Sequence, residues 1–309
     1  MTAGPPAVPT PTRATGQQQK GEPMIKSILA ALDGSEESIA GLRQAVSWAE
    51  RLDAELRAVY VQDQRRFVTF PTYSDSEGAV PKAIPLPGAA LAEAEAEAAK
   101  EEAELRAAYA QAVKGHTVRG EMTVLRGWVE STLVREAHAV DLVVLGKRGR
   151  GLDASGTDAG PTTETLIHEA LRPVLVVPAG AAGNGRVLLP FDGSRGVQRV
   201  VVPGVRLAAA MQATVTVLTL ADSKAQGDDI QAPLRAYLKS HGVQADFRVL
   251  QGRDTERRTG QLVLEMADEI QAGLIMMGAF SVGPIKEFFV GSVTRTVLNG
   301  AHCPVLMMS

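Results

Sequence analysis

Two kinds of stretch in this chain set chemically useful residues side by side. Asp33-Gly34-Ser35 and Asp192-Gly193-Ser194 each place a carboxylate, a glycine and a hydroxyl at the end of an apolar run. Gly146-Lys147-Arg148-Gly149 and, later, Gly278 with Gly291-Ser292 place glycines where an apolar run passes through a loop into a helical pattern. Glycine lets main chain approach an anion and adopt positive φ, while amides at a following helix start point at the negative charge. A small hydroxyl such as Ser292 adds one donor without filling the space. The competing reading is structural, since tight strand-to-helix turns need glycine with or without a ligand. Asp33, Ser35, Asp192 and Ser194 are equally suited to capping free helix amides.

Other chemistry has less support. The five histidines, His116, His138, His168, His241 and His302, show no spacing of a metal site. Neither a Gly-x-Ser-x-Gly turn nor a lysine-bearing phosphate loop occurs, so the usual nucleophile and nucleoside-triphosphatase motifs are missing. The single cysteine, Cys303, lies in an apolar closing run and reads as a buried thiol in a reducing compartment.

The elements that position these residues are legible because the chain repeats itself. Ile28 to Ser35 returns as Val187 to Ser194, Asp141 to Gly146 as Gly273 to Gly278, and Arg172 to Val177 as Cys303 to Met308. Unalternating apolar runs are strands covered on both faces. Ile39, Leu42, Val46, Ala49 and Leu52 form the buried stripe of a helix. Strands alternating with helices predict two tandem α/β domains, each a doubly wound, Rossmann-like parallel sheet, at 24–180 and 184–309. Right-handed crossovers bring the Asp-Gly-Ser and glycine turns to the carboxyl edge of each sheet, where open α/β folds hold ligands.

The first half carries an insertion, expected as a mobile loop around 62–87 followed by a long helix from Ala89 to Val113. Its acidic run, Glu93 to Glu104, reads as a solvated helix face. Val202-Pro203-Gly204 predicts a kink or a late start in the first helix of the second half. Residues 1–23 read as a disordered tail, being polar and proline-rich. A length of 309 residues suits two domains, and a net charge of -3 with no long apolar run argues against nucleic-acid and membrane partners. A cytoplasmic location is expected.

The duplicated Asp-Gly-Ser turn, the Gly278 to Thr294 stretch and the Cys303-Pro304-Val305-Leu306 close resemble the universal stress protein family, over about residues 25 to 309. Nucleotide-binding members share the pattern Gly, two residues, Gly, nine residues, then Gly-Ser or Gly-Thr. The resemblance implies ATP or another adenine nucleotide (ADP, AMP) as cofactor, with or without Mg, and no structural metal. In the second half it assigns Pro190, Asp192 and Leu220 to base and ribose, and Gly278, Ser281, Gly291, Ser292 and Thr294 to the phosphate end. Ser281 stands where the pattern has its second glycine. The first half departs further: Asp33, Val61, Gly146, Gly149 and Gly160 match, but Gly160 comes one residue late and Pro161 replaces the hydroxyl. Lys147 and Arg148 are placed to draw an anion there.

The family further implies that Val174 to Val177 and Val305 to Met308 pair as an intrachain pseudo-dimer, with a homodimer as a second level of association. The function expected is nucleotide-linked stress response without strong catalysis. The rivals are a nucleotide-free interaction scaffold and a weak nucleotide hydrolase.

Overall fold

The computed structural model describes residues 25–70, 83–150, 158–181, 183–252, 256–278 and 291–308. The expected tail at 1–23 and the position of Ser281 lie outside them.

The first half runs β1 (Ser27–Leu32), α1 (Glu36–Leu52), β2 (Glu55–Asp63), a 3-10 turn (Gln64–Phe67), β3 (Val68–Thr69), β4 (Ile84–Pro85), α2 (Gly88–Val113), β5 (Arg119–Gly127), α3 (Val129–Ala137), β6 (Leu142–Gly146), α4 (Pro161–Glu169) and β7 (Val174–Val177). The second runs β8 (Arg186–Pro190), α5 (Arg195–Ala210), β9 (Thr214–Ala221), α6 (Lys224–Ser240), β10 (Ala245–Gln251), α7 (Glu256–Glu269), β11 (Leu274–Gly278), α8 (Ser292–Gly300) and β12 (Val305–Met308).

Ten strands form one sheet in the order β10-β9-β8-β11-β12-β7-β6-β1-β2-β5, so both halves have the same internal order. Pairing is parallel except at the centre, where β12 meets β7 antiparallel with Leu306 opposite Leu175. This is the expected pairing of the closing strands. Val174, Leu175, Val176, Val305, Leu306 and Met307 are all at most 2 % exposed; each such side chain stabilises the seam by roughly 1.5–3 kcal/mol. Two apolar cores, each drawing on both halves, cover the sheet. The antiparallel seam turns the halves end for end, so their carboxyl edges lie on opposite sides of the common sheet.

Three expectations need correction. The segment expected as a mobile loop contains a 3-10 turn and a short antiparallel ladder, Val68 opposite Pro85 and Thr69 opposite Ile84. Part of the insertion (71–82) lies outside the described residues. Second, of the kink or late start expected for α5, the late start does not occur: Ser194 caps the helix and it continues through Pro203. Its neighbour Gly204 permits the close approach to β11, since a Cβ there would sit 2.9 Å from the Met276 sulfur. Third, the acidic face of α2 is not solvated throughout, because Glu101 is drawn into the site described next.

Candidate functional site

At the carboxyl edge of the first half, the ends of β1, β2 and β6 open into a cleft of about 460 Å³. Its shape begins with the Asp-Gly-Ser turn. Gly34 takes φ +83°, a conformation costly for other residues, and Ser35 then caps α1 by accepting from the Ser38 amide. Asp33 Oδ1 accepts from the Ser35 amide at 2.9 Å and the Ser35 hydroxyl at 2.6 Å, while Oδ2 accepts from the Arg150 amide at 2.6 Å. One carboxylate therefore ties the β1 turn to the glycine loop after β6.

That loop is held at both stems. The Gly160 amide donates to the Lys147 carbonyl at 2.9 Å, and Thr163 Oγ1 donates to the Gly146 and Lys147 carbonyls at 3.0 and 3.1 Å. Close approach accounts for its glycines. A Cβ at Gly146 would lie 2.8 Å from Glu37 Cβ and the Ser38 amide nitrogen, and one at Gly149 would lie 2.9 Å from Asp33 Oδ2. Gly160 is the N-cap of α4, and Pro161 occupies the first turn with no side-chain cap. The helix thus presents fewer amides here than one with serine or threonine at its start.

Val61, Ala31, Leu133 and Leu145 supply an apolar wall. The charged wall is balanced. Arg148 pairs with buried Glu37 at 3.1 Å, Arg65 with Asp63 at 2.7 Å, and Arg66 and Arg150 both reach Glu101, at 2.5 and 3.2 Å. Glu101 comes from the insertion helix α2 and also accepts from the Tyr60 hydroxyl at 2.7 Å. Burial, reinforced by the Glu101 carboxylate, pushes the Tyr60 phenol up to about 12. Burial also opposes ionisation of Glu101, but the hydrogen bonds from Arg66 and Tyr60 outweigh it and hold the carboxyl below its ordinary range.

All five first-half residues selected from sequence, Asp33, Val61, Gly146, Gly149 and Gly160, line this cleft, as does Arg148. Lys147 does not. Its ammonium turns away and donates to the Asn299 carbonyl of α8 at 2.6 Å. Tyr60, Arg66, Glu101 and Arg150 were not selected. Glu101 sits in the acidic run of α2, where nothing local distinguishes it from Glu97 or Glu104.

In the second half, Pro190 ends β8 and Leu220 lies near the end of β9. Asp192 Oδ1 accepts from the Ser194 amide at 2.9 Å, Gly193 takes φ +73°, and Ser194 caps α5. Gly278 ends β11, where a Cβ would lie 3.2 Å from the Gly196 carbonyl oxygen. Gly291 is the N-cap of α8, Ser292 its first residue, and Thr294 is buried. The strand ends and the helix start share one sheet edge, as in the first half.

A profile of the universal stress protein family matches residues 24–178 and again 183–309. The chain belongs to the universal stress protein family. It contains that family's domain twice, in tandem. Among curated relatives, universal stress protein MJ0531 of Methanocaldococcus jannaschii is 32% identical over 162 residues, covering 52% of this chain and 85% of that protein. Universal stress protein Slr1230 of Synechocystis is 24% identical over 168 residues, covering 54% of this chain, and the match spans only 57% of the Synechocystis protein. A solved universal stress protein from Archaeoglobus fulgidus superposes with a TM-score of 0.66 at 16% identity, covering 92% of this chain and 96% of the other. A putative universal stress protein from Pseudomonas aeruginosa gives a TM-score of 0.56 at 15% identity over 92% and 93%. At those identities the superpositions establish the fold alone, a tandem universal stress protein sheet.

Proposed function

We propose that this universal stress protein is an adenine-nucleotide-binding module in which occupancy alters conformation with little chemical turnover, each half (24–180 and 184–309) forming one nucleotide domain. The observation that carries the reading is the convergence of Asp33, Val61, Gly146, Gly149 and Gly160 on one 460 Å³ cleft at a sheet's carboxyl edge. That volume suits a nucleotide, and the wall is apolar on one side and hydrogen-bonding on the other. The second half supports the reading by sequence, keeping Gly278, Gly291, Ser292 and Thr294 at the helix that would receive phosphate, with Pro190, Asp192 and Leu220 at the base and ribose side. Ser281, which the family pattern assigns to the phosphate end, lies outside the described residues.

Little turnover is expected because each carboxylate lining the cleft is already engaged: Asp33 by amides, Asp63 by Arg65, Glu101 by three partners and Glu130 by Thr162. Among the described residues no group of three His, Cys, Asp or Glu could hold a metal ion; Mg would arrive on the nucleotide's phosphates.

One observation favours a nucleotide-free scaffold for the first half. Its guanidinium groups are paired with carboxylates, and Pro161 removes a phosphate donor. The deciding experiment denatures freshly purified protein and measures released adenine nucleotide by chromatography, for wild type, Asp33→Ala and Asp192→Ala. Loss confined to Asp33→Ala assigns the first cleft, and loss confined to Asp192→Ala assigns the second. Bound nucleotide should also stabilise the fold by about 2.7 kcal/mol at a hundredfold excess over Kd, which a raised melting temperature would report. No released nucleotide and no stabilisation by ATP, ADP or AMP overturns the reading in favour of the scaffold. Glycine substitutions suit this test poorly, since a side chain at Gly146 strikes α1 and unsettles the fold.

A further inference from the structure

We infer that Lys147 and Asp158 act as positioning residues for α8, so that a ligand in the first cleft steadies the helix that opens the second half's phosphate end; the ligand in this proposal is the one put forward above.

The antiparallel seam creates the opportunity. Because it turns the halves end for end, the carboxyl terminus of α8 emerges at the edge where the first half's glycine loop lies. Two contacts join them at a single residue. From one stem of the loop, the buried Lys147 ammonium donates to the Asn299 carbonyl at 2.6 Å. From the other stem, Asp158 Oδ1 accepts from the Asn299 side-chain amide at 2.5 Å. The stems are also bonded to each other, the Lys147 carbonyl accepting from the Gly160 amide and the Thr163 hydroxyl. Asn299 is thus gripped by a closed ring of hydrogen bonds.

The chemistry of a helix end explains why the grip matters. The last carbonyls of a helix have no amide of the next turn to accept from, and a cation placed there satisfies one and complements the helix dipole. Lys147 does this for α8 from the other half of the chain. The helix has nine residues, about 13 Å of rigid rod at 1.5 Å per residue, with Ser292 and buried Thr294 in its first turn. Fixing Asn299 therefore fixes the position of Ser292. At the other side of Lys147, its neighbours Gly146, Arg148 and Gly149 line the cleft, so a ligand that orders this turn orders the lysine's main chain. The coupling is positive, and linkage makes it reciprocal.

If Lys147 merely sealed the seam, removing it would lower stability evenly. The test separates these roles with full-length protein, Lys147→Met, Lys147→Arg and Asn299→Ala, followed by hydrogen exchange and mass spectrometry with and without ADP. Without ligand, Lys147→Met and Asn299→Ala should speed exchange of α8 amides about fivefold or more while β8 and β9 keep wild-type rates, and Lys147→Arg should restore most of the protection. With ADP, wild type should gain protection at both the Gly146 turn and α8, whereas Lys147→Met gains it at the turn alone. Wild-type exchange of α8 in Lys147→Met, or a rise spread evenly over both halves, overturns the positioning role. ADP protecting no segment of wild type overturns the nucleotide reading and the transmitted effect, and the ligand-free comparison still decides whether Lys147 fixes α8.

Discussion

Both carboxylate oxygens of Asp33 are occupied by main chain, one in its own turn and one across the cleft at Arg150. Asp33→Ala should therefore cost about 1 kcal/mol of stability besides any nucleotide, read from urea denaturation. Tyr60 offers a spectroscopic check. Its phenol is held near 12 in the fold, against an ordinary 10.0. The raised value means that the neutral phenol is favoured by folding. This contribution is intact below pH 10 and is lost as pH rises through 12. Absorbance titration should show one tyrosine ionising about two pH units late, and Glu101→Gln should move that midpoint down. Cys303, whose thiol burial raises to about 11 from 9.0, should react with a disulfide reagent at pH 8 about a hundredfold more slowly in native than in unfolded protein. The residues picked from sequence at this scale were those whose types are constrained locally, the glycines and the Asp-Gly-Ser turns. Glu101 was invisible because its partners are 35 to 49 positions away, and the direction of the Lys147 side chain depends on which half lies beside it.

At the scale of elements, periodicity carried most of the information. The stripe on α1, the long α2 and the unalternating strands all appear where the sequence puts them. Proline was the weaker guide: α5 passes through Pro203 because the rest of its apolar face is buried against the sheet. The β3–β4 ladder was missed since two-residue strands have no period to read. A strand glycine supplies a sharper test. Gly120 in β5 takes φ +132°, and a Cβ there would lie 1.8 Å from the Leu56 carbonyl oxygen. Gly120→Ala should destabilise by about 2 kcal/mol or more, whereas the same change at Gly115, which has open space but also a positive φ, should cost less, as measured by thermal and urea unfolding.

For the whole molecule, the seam was legible through the resemblance to the universal stress protein family, and its physical reason is that an apolar strand at a domain edge requires a partner. Shared cores should make unfolding cooperative. Both tryptophans, Trp48 and Trp128, lie in the first half, so their fluorescence reports that half while far-ultraviolet circular dichroism reports both. The two transitions should coincide in wild type. Leu175→Ala, which empties a fully buried position on β7, should shift both together by about 2–5 kcal/mol.

The antiparallel contact between β7 and β12 has an evolutionary side. In an assembly of identical subunits, any substitution at a binding edge appears at every copy of that edge, so a loss at one is a loss at all. Here the equivalent surfaces are encoded by separate codons. Pro161 can stand at one while Ser292 stands at the other, and each position is open to change without altering its twin.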